Sequence, residues 1–310
     1  MLELRRLRLL SDLARRGTIA EVATVRGYSP SAVSQALAQL EREAGVALLE
    51  RDGRRVRLTA AARRLVTRTD RVLAELDAAE AELAAERGAV GGSLVIGAFP
   101  SVASTVVIAA IRRLRDHHPQ LRCAIREHEP EDGIPLLRSG DLDLLVSEFY
   151  DDVPSAPVGG LEQHLLLTEP LLLVLPTRHP AREPVDLARL RDAPWIGGLL
   201  GTQFADVLEH ACRAAGFTPN IVHRADDAEM HHALVAADLG VGLLPSLACT
   251  GSDGVRYARI KTPEPRRHVA VLLRRSAAGR PTLVAVIDAL RESAIAARSR
   301  AGAYAPWSSR

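Results

Sequence analysis

The chain has 310 residues, 47% of them apolar and 25% charged. These are globular proportions in a length that exceeds one compact core and suits two or three domains. A formal net charge of +2 excludes a general polyanion binder, and the lack of any apolar run of ~18 residues excludes a membrane-spanning helix. The charge is unevenly placed: residues 1–90 hold 16 Arg/Lys against 13 Asp/Glu, the remainder 24 against 25, so the basic excess gathers at the N-terminal end.

Residues 2–16 read as a first helix with Leu4, Leu7, Leu10, Leu13 and Ala14 on one side. Thr18 and Glu21 form a T-x-x-E capping box that starts a short second helix, and Gly27 ends it. Ser29 then caps a third helix with Pro30 at its first position, where a missing N–H costs nothing. Val33, Leu37, Leu40 and Ala44 make its apolar stripe. Its other face carries Ser31, Ser34, Gln35, Gln39 and Arg42, groups able to reach base edges and phosphates. Helix, glycine-containing turn, helix with a polar face is the helix-turn-helix pattern. Asp52-Gly53 marks a hairpin turn, and residues 51–71 hold eight arginines against two aspartates. A basic hairpin placed there is a wing, with Arg51, Arg54 and Arg55 set to hold phosphate.

Residues 2–65 resemble the DNA-binding domain of the LysR-type transcriptional regulators. The matching residues are Leu7 and Leu10, Gly17-Thr18-Ile19, Ser29 through Gln35, Leu40-Glu41, Gly45 through Arg51, and Arg55-Val56-Arg57-Leu58-Thr59. Leu49 stands where that family usually has Phe, and Ala62 where it has Gly.

Thr59 opens a long helix to about Arg87. Its positions Ala62, Leu65, Thr69, Val72, Leu76, Ala79 and Leu83 follow a heptad spacing, with Leu65, Val72, Leu76 and Leu83 as the expected dimerisation residues. The resemblance implies the same use for this element, a homodimer presenting two recognition helices to promoter DNA. It further implies a homotetramer and contact with RNA polymerase.

From Gly88-Ala-Val-Gly91-Gly92 onward, short apolar runs alternate with amphipathic helices, the mark of βαβ units and a largely parallel sheet. This part resembles the LysR-type effector domain, a two-lobed α/β fold like the periplasmic solute-binding proteins. The expected organisation is an N-terminal all-α winged helix-turn-helix at 1–58, a linker helix at 59–88, a two-lobed effector domain at 89–300 and a flexible tail at 301–310. Lobe one is about 92–163 and 274–300, lobe two about 164–269, with crossings near Gln163 and Val269.

Such a domain binds its ligand at the carboxyl ends of its strands. Pro100, Ser101 and Ser104 follow the first strand, Ser147 and Glu148 end another, Thr202 and Gln203 open a lobe-two helix, and Asp226 precedes a further helix. Helix N-termini attract carboxylates, whereas Glu148 favours an amine, so the expected effector is a small carboxylate or amino acid. No metal or cofactor is expected. His117-His118 and His231-His232 are adjacent pairs rather than i, i+4 ligand pairs, and no H-E-x-x-H, G-x-S-x-G, P-loop or dinucleotide fingerprint occurs. The alternative is a two-domain α/β enzyme or solute-binding protein with a helical N-terminal extension. Cys123, Cys212 and Cys249 form no C-x-x-C and sit in apolar contexts, suiting packing in a reducing cytosol rather than a redox switch. With no secretory h-region at the N-terminus, the expected location is cytoplasmic.

Overall fold

The computed structural model describes residues 1–52, 55–86, 90–151, 153–154, 158–261 and 263–304, and the chain divides into two compact units, Met1–Leu83 and Ala84–Arg310.

The first unit contains α1 (Leu4–Arg16), α2 (Ile19–Arg26), α3 (Pro30–Ala44), a hairpin of β1 (Leu49–Asp52) and β2 (Arg55–Leu58), and the start of α4 (Ala60–Glu86). The caps are those the local chemistry dictates. Thr18 Oγ1 accepts the Glu21 N–H at 3.3 Å and Ser29 Oγ accepts the Ala32 N–H at 3.2 Å. Gly27 takes a left-handed φ of 68°, which a side chain would strain. Leu7, Leu10, Leu13, Val22, Val33, Leu37, Leu40 and Leu48 close the core, joined by Leu9, while Ala14 stays exposed. Each fully buried leucine contributes about 1.5–3 kcal/mol. Two carboxylates, buried Asp12 and half-buried Glu41, brace this core. Asp12 accepts from Arg26 at 2.6 and 2.9 Å and from Arg15 at 3.1 Å. Glu41 Oε1, on α3, accepts the N–H groups of Leu48 and Leu49 at 2.8 and 2.9 Å, which fixes where the hairpin begins.

The heptad of α4 divides in two. Ala62 and Thr69 are buried, and Leu65 packs against the core of the first unit, so Leu65 serves its own fold. Val72, Leu76 and Leu83 are 49%, 39% and 60% exposed. The exposed apolar positions of α4 therefore start one heptad later than the spacing suggests.

In the second unit, β3 (Gly92–Ala98), β4 (Leu121–Glu127) and β5 (Leu144–Tyr150) alternate with helical segments over 100–117 and with α7 (Pro130–Ser139). The 100–117 segment comprises α5 (Pro100–Val102), a π-helical turn (Ala103–Val107) and α6 (Ile108–His117). A 16-residue strand, β6 (Leu161–Pro176), leads into β7 (Pro194–Gly197), α8 (Gln203–Ala214), β8 (Asn220–Arg224), α9 (Ala228–Ala236), β9 (Val241–Pro245) and β10 (Val255–Ala258). The chain returns along β11 (Arg266–Arg274) to α10 (Pro281–Tyr304). The strand order is β4-β3-β5-β11-β6-β9-β7-β8, with β10 on β6.

The expectation of a largely parallel sheet is corrected. The β3–β4, β3–β5, β7–β8 and β7–β9 pairs are parallel, but β11 runs antiparallel to β5 and β6, and β6 antiparallel to β9 and β10. Alternating elements do not reveal strand direction, and the two strands that join the lobes run against their neighbours. The crossings also shift. β6 pairs with β11 as far as Pro170 and with β9 and β10 from Leu171, so the lobes meet at Pro170–Leu171 and Pro265–Arg266 rather than near Gln163 and Val269. Thr168-Glu169-Pro170 looks like a break in sequence because it carries a charge and lacks an N–H. It continues the strand because Glu169 meets Arg267 directly across the ladder.

One apolar core lies under lobe one, with Leu94, Ile96, Val146, Val271 and Leu290, and another under lobe two, with Leu171, Leu173, Trp195, Leu208 and Leu243.

Candidate functional site

The polar face of α3 leaves Ser31, Ser34, Gln35 and Arg42 exposed, as are Ser29 and Pro30 at its start. They differ in readiness. Ser29 Oγ already accepts the cap N–H and lies 2.9 Å from Ser31 Oγ. Gln39 Oε1 accepts from Arg42 Nε and Nη2 at 3.0 and 2.6 Å, and Gln39 Nε2 donates to Glu43 Oε1 at 3.1 Å. Gln39 and Arg42 thus hold each other along the helix, while the Gln35 side chain stands exposed. Beside Gln35, a groove is bounded by Arg5, Arg6, Tyr28 and Gln39. Arg5 donates to Tyr28 Oη at 3.1 Å, with its guanidinium 4.9 Å from the ring centre. This Arg5–Tyr28 pair was not singled out from sequence, where Tyr28 reads only as the turn. In the wing, Arg51 and Arg55 lie on paired strands; their side chains and all of Arg54 fall outside the described residues.

In the second unit, five expected effector residues come together. Pro100, Ser101, Ser104, Glu148 and Asp226 line one cavity of about 330 Å³, along with Phe99, Phe204, Leu244, Leu247, Glu129 and Arg267. Ser147 and Gln203 line a second, smaller one of about 130 Å³ with Ile134 and Leu272. The split follows from β5 running on to Tyr150 rather than ending at Ser147-Glu148. Successive strand side chains point to opposite faces, so Ser147 borders only the smaller cavity, whereas Glu148 lies between the two and borders both. Thr202 lines neither cavity: it caps α8, accepting the Ala205 N–H at 3.2 Å and donating to the Leu199 carbonyl at 2.9 Å. The N–H of Gln203 already donates to Glu131 Oε1 at 3.2 Å. The Ser104 hydroxyl turns back on its own helix, donating to the Pro100 carbonyl at 3.0 Å.

The organising group of the larger cavity is Arg267, which sequence reasoning missed. It is 2% exposed. Its Nε and Nη2 donate to Glu169 Oε1 at 2.9 and 2.6 Å, and Nη1 donates to Glu148 Oε2 at 2.9 Å and Ser101 Oγ at 3.1 Å. Tyr150 Oη donates to Glu148 Oε1 at 2.7 Å, and Ser246 Oγ and the Leu247 N–H donate to Glu169 Oε2 at 2.7 and 2.6 Å. Burial alone would lower the Arg267 pKa, but Glu169 and Glu148 outweigh it and hold the guanidinium charged. Burial pushes Glu148 up, opposed by Arg267 and Tyr150. Glu129 reaches about 8, first through burial and then through Glu148, Asp226 and Glu131 nearby, with only Arg267 opposing. Burial also raises Asp226, against the Leu199 N–H that donates to it at 2.8 Å. The one available signal for Arg267 was its register: two residues before the Val269 of an apolar run, on the face where a charge needs a partner.

A winged helix-turn-helix with a polar reading face, and a two-lobed α/β unit around a partly apolar, charge-lined cavity, define a DNA-binding regulator with an effector-binding domain. Residues 4–63 match the model of the bacterial regulatory helix-turn-helix proteins of the lysR family, and residues 87–295 match the LysR substrate binding domain. The chain belongs to the LysR family of transcriptional regulators. It is 32% identical over 302 residues, 94% of each chain, to a probable hydrogen peroxide-inducible genes activator of Streptomyces viridosporus. It is 26% identical over 275 residues, 87% of this chain and 90% of the other, to the transcriptional dual regulator GltC of Bacillus subtilis. A full-length OxyR variant from Pseudomonas aeruginosa superposes with a TM-score of 0.73 at 25% identity, covering 95% of each chain.

Proposed function

We propose that this regulator reads promoter DNA through α3 and its wing, pairs through the exposed part of α4, and answers to a small molecule held in the larger cavity. Ser31, Ser34, Gln35 and Gln39 face base edges; Arg42, Arg51, Arg54 and Arg55 hold phosphate, with Ser29 and Pro30 setting the helix start. Val72, Leu76 and Leu83 form the pairing seam, and two dimers join as a tetramer that meets RNA polymerase in the cytoplasm. In this division of labour residues 1–58 bind DNA, 59–88 pair the subunits, and the remainder to about 300 senses the effector. The observation that carries the sensing role is the cavity itself: five effector residues chosen from sequence share its lining. The protein acts as a regulator rather than an enzyme.

Some relatives are named for induction by hydrogen peroxide, and the cysteines here support a different signal. All three are free, and burial pushes the pKa of each thiol up, Cys212 to about 12. A peroxide-reactive thiol needs the opposite shift, toward thiolate at neutral pH.

The test is binding of the purified protein to the DNA upstream of its own gene and to a random duplex, at several salt concentrations. Selective binding with a steep salt slope is expected; equal, weak binding to both duplexes overturns the DNA-reading assignment.

A further inference from the structure

The effector cavity is rich in carboxylates and poor in free positive charge. We propose that it takes an organic cation, an amine or quaternary ammonium carried on an apolar body. This rests on the reading of the larger cavity as the effector site and narrows it, replacing the carboxylate or amino acid expected from sequence.

Three features of the lining carry the inference. First, Arg267 is the only cationic side chain lining it among the described residues, and four of its five N–H donors are spent on Glu169, Glu148 and Ser101. An anionic ligand would meet a guanidinium whose charge two buried carboxylates already offset. Second, three helix starts each have one N–H engaged by a carboxylate or replaced by proline. The Gln203 N–H at the start of α8 donates to Glu131, the Met230 N–H in the first turn of α9 donates to Asp227 Oδ1 at 2.8 Å, and the helical segment after β3 opens on Pro100, which has no N–H. Third, Glu129 and Asp226 face the cavity beside Glu148, with Asp227 and Glu229 at its edge. Two carboxylates already offset one arginine, so Asp226, and Glu129 once it gives up its proton, leave negative charge for a ligand to neutralise. Phe204, Leu244, Leu247 and Ala248 supply an apolar wall for the body that carries the charge.

Binding is proton-linked. Glu129 is surrounded by Glu148 and Tyr150 on β5, Glu131 on α7, Asp226, Asp227 and Glu229 at the start of α9, and Arg267 on β11. With a pKa of about 8, it holds a proton at neutral pH that a bound cation expels. The affinity of a permanently charged ligand therefore rises with pH.

The experiment is calorimetric titration of the full-length protein with phenyltrimethylammonium, phenethylamine, phenethyl alcohol and hydrocinnamate, with circular dichroism verifying that each variant is folded. The two cations should bind at least about tenfold more tightly than the alcohol and the carboxylate, a difference of about 1.4 kcal/mol. Phenyltrimethylammonium should gain up to about tenfold from pH ~6 to ~8.5, a gain that Glu129→Gln removes. Asp226→Asn should weaken the cations and spare the alcohol. Ser104→Trp, which fills the cavity from an exposed position, should abolish binding. Hydrocinnamate binding as tightly as the cations and lost in Ser104→Trp overturns the ligand class while leaving the cavity as effector site. Cation binding that survives Ser104→Trp overturns both. Failure of both cations to bind overturns the proposal.

Discussion

Replacing Arg267 by methionine strands two carboxylates, Glu169 and Glu148, that are 2% and 6% exposed. Four hydrogen bonds of 2.6 to 3.1 Å go with the guanidinium. Breaking a buried ion pair from one side costs about 3–5 kcal/mol, because the charge left behind stays desolvated. Against a net stability of about 5–15 kcal/mol for a folded domain, that is a large share. Urea unfolding of the full-length protein should detect it, read by fluorescence of the buried Trp195 in a Trp307→Phe background. With a slope of about 2–3 kcal/mol/M, the midpoint should fall by about 1–2 M. The deficit should also depend on pH. Burial already raises the Glu148 carboxyl against the pull of Arg267, so without Arg267 it rises further and the folded variant binds more protons. Stability is then retained at low pH and lost as pH rises through the raised value, and the gap to wild type narrows from pH ~8 to ~5. A deficit below about 1 kcal/mol, or one equal at both pH values, refutes the view that Arg267 chiefly neutralises these carboxylates.

Three further outcomes are expected. Arg42→Ala should weaken binding to specific and random DNA alike and reduce the salt slope by about one, whereas Gln35→Ala should relax base preference by about 1–3 kcal/mol at one position; unchanged preference in a binding-site selection contradicts the assigned reading face. Glu41→Ala removes the acceptor for the Leu48 and Leu49 N–H groups and should cost about 1–3 kcal/mol in the first unit, seen as a lower melting temperature. Leu76→Glu places a charge on an exposed apolar position of α4 and should shift the protein toward monomer in analytical ultracentrifugation, with circular dichroism unchanged.

The first unit was largely legible in sequence. Thr18, Ser29 and Gly27 act on their immediate neighbours, and α3 buries Val33, Leu37 and Leu40 while exposing Ser34 and Gln35. Caps and helical periodicity are local properties, which a chain encodes over a few residues. The alternation of the second unit was equally readable, and it placed Pro100, Ser101, Ser104, Glu148 and Asp226 at one cavity. Tertiary structure alone decided the rest. It made β6 one strand through Glu169 and set its neighbours antiparallel. It left Ser147 out of the larger cavity that Glu148 lines, and packed Leu65 against the first unit's core. Above all, it brought Arg267 to Glu169 and Glu148 from 98 and 119 residues away. A buried charge is tolerable only beside its partner, and when that partner lies a hundred residues off, only the folded sheet joins them.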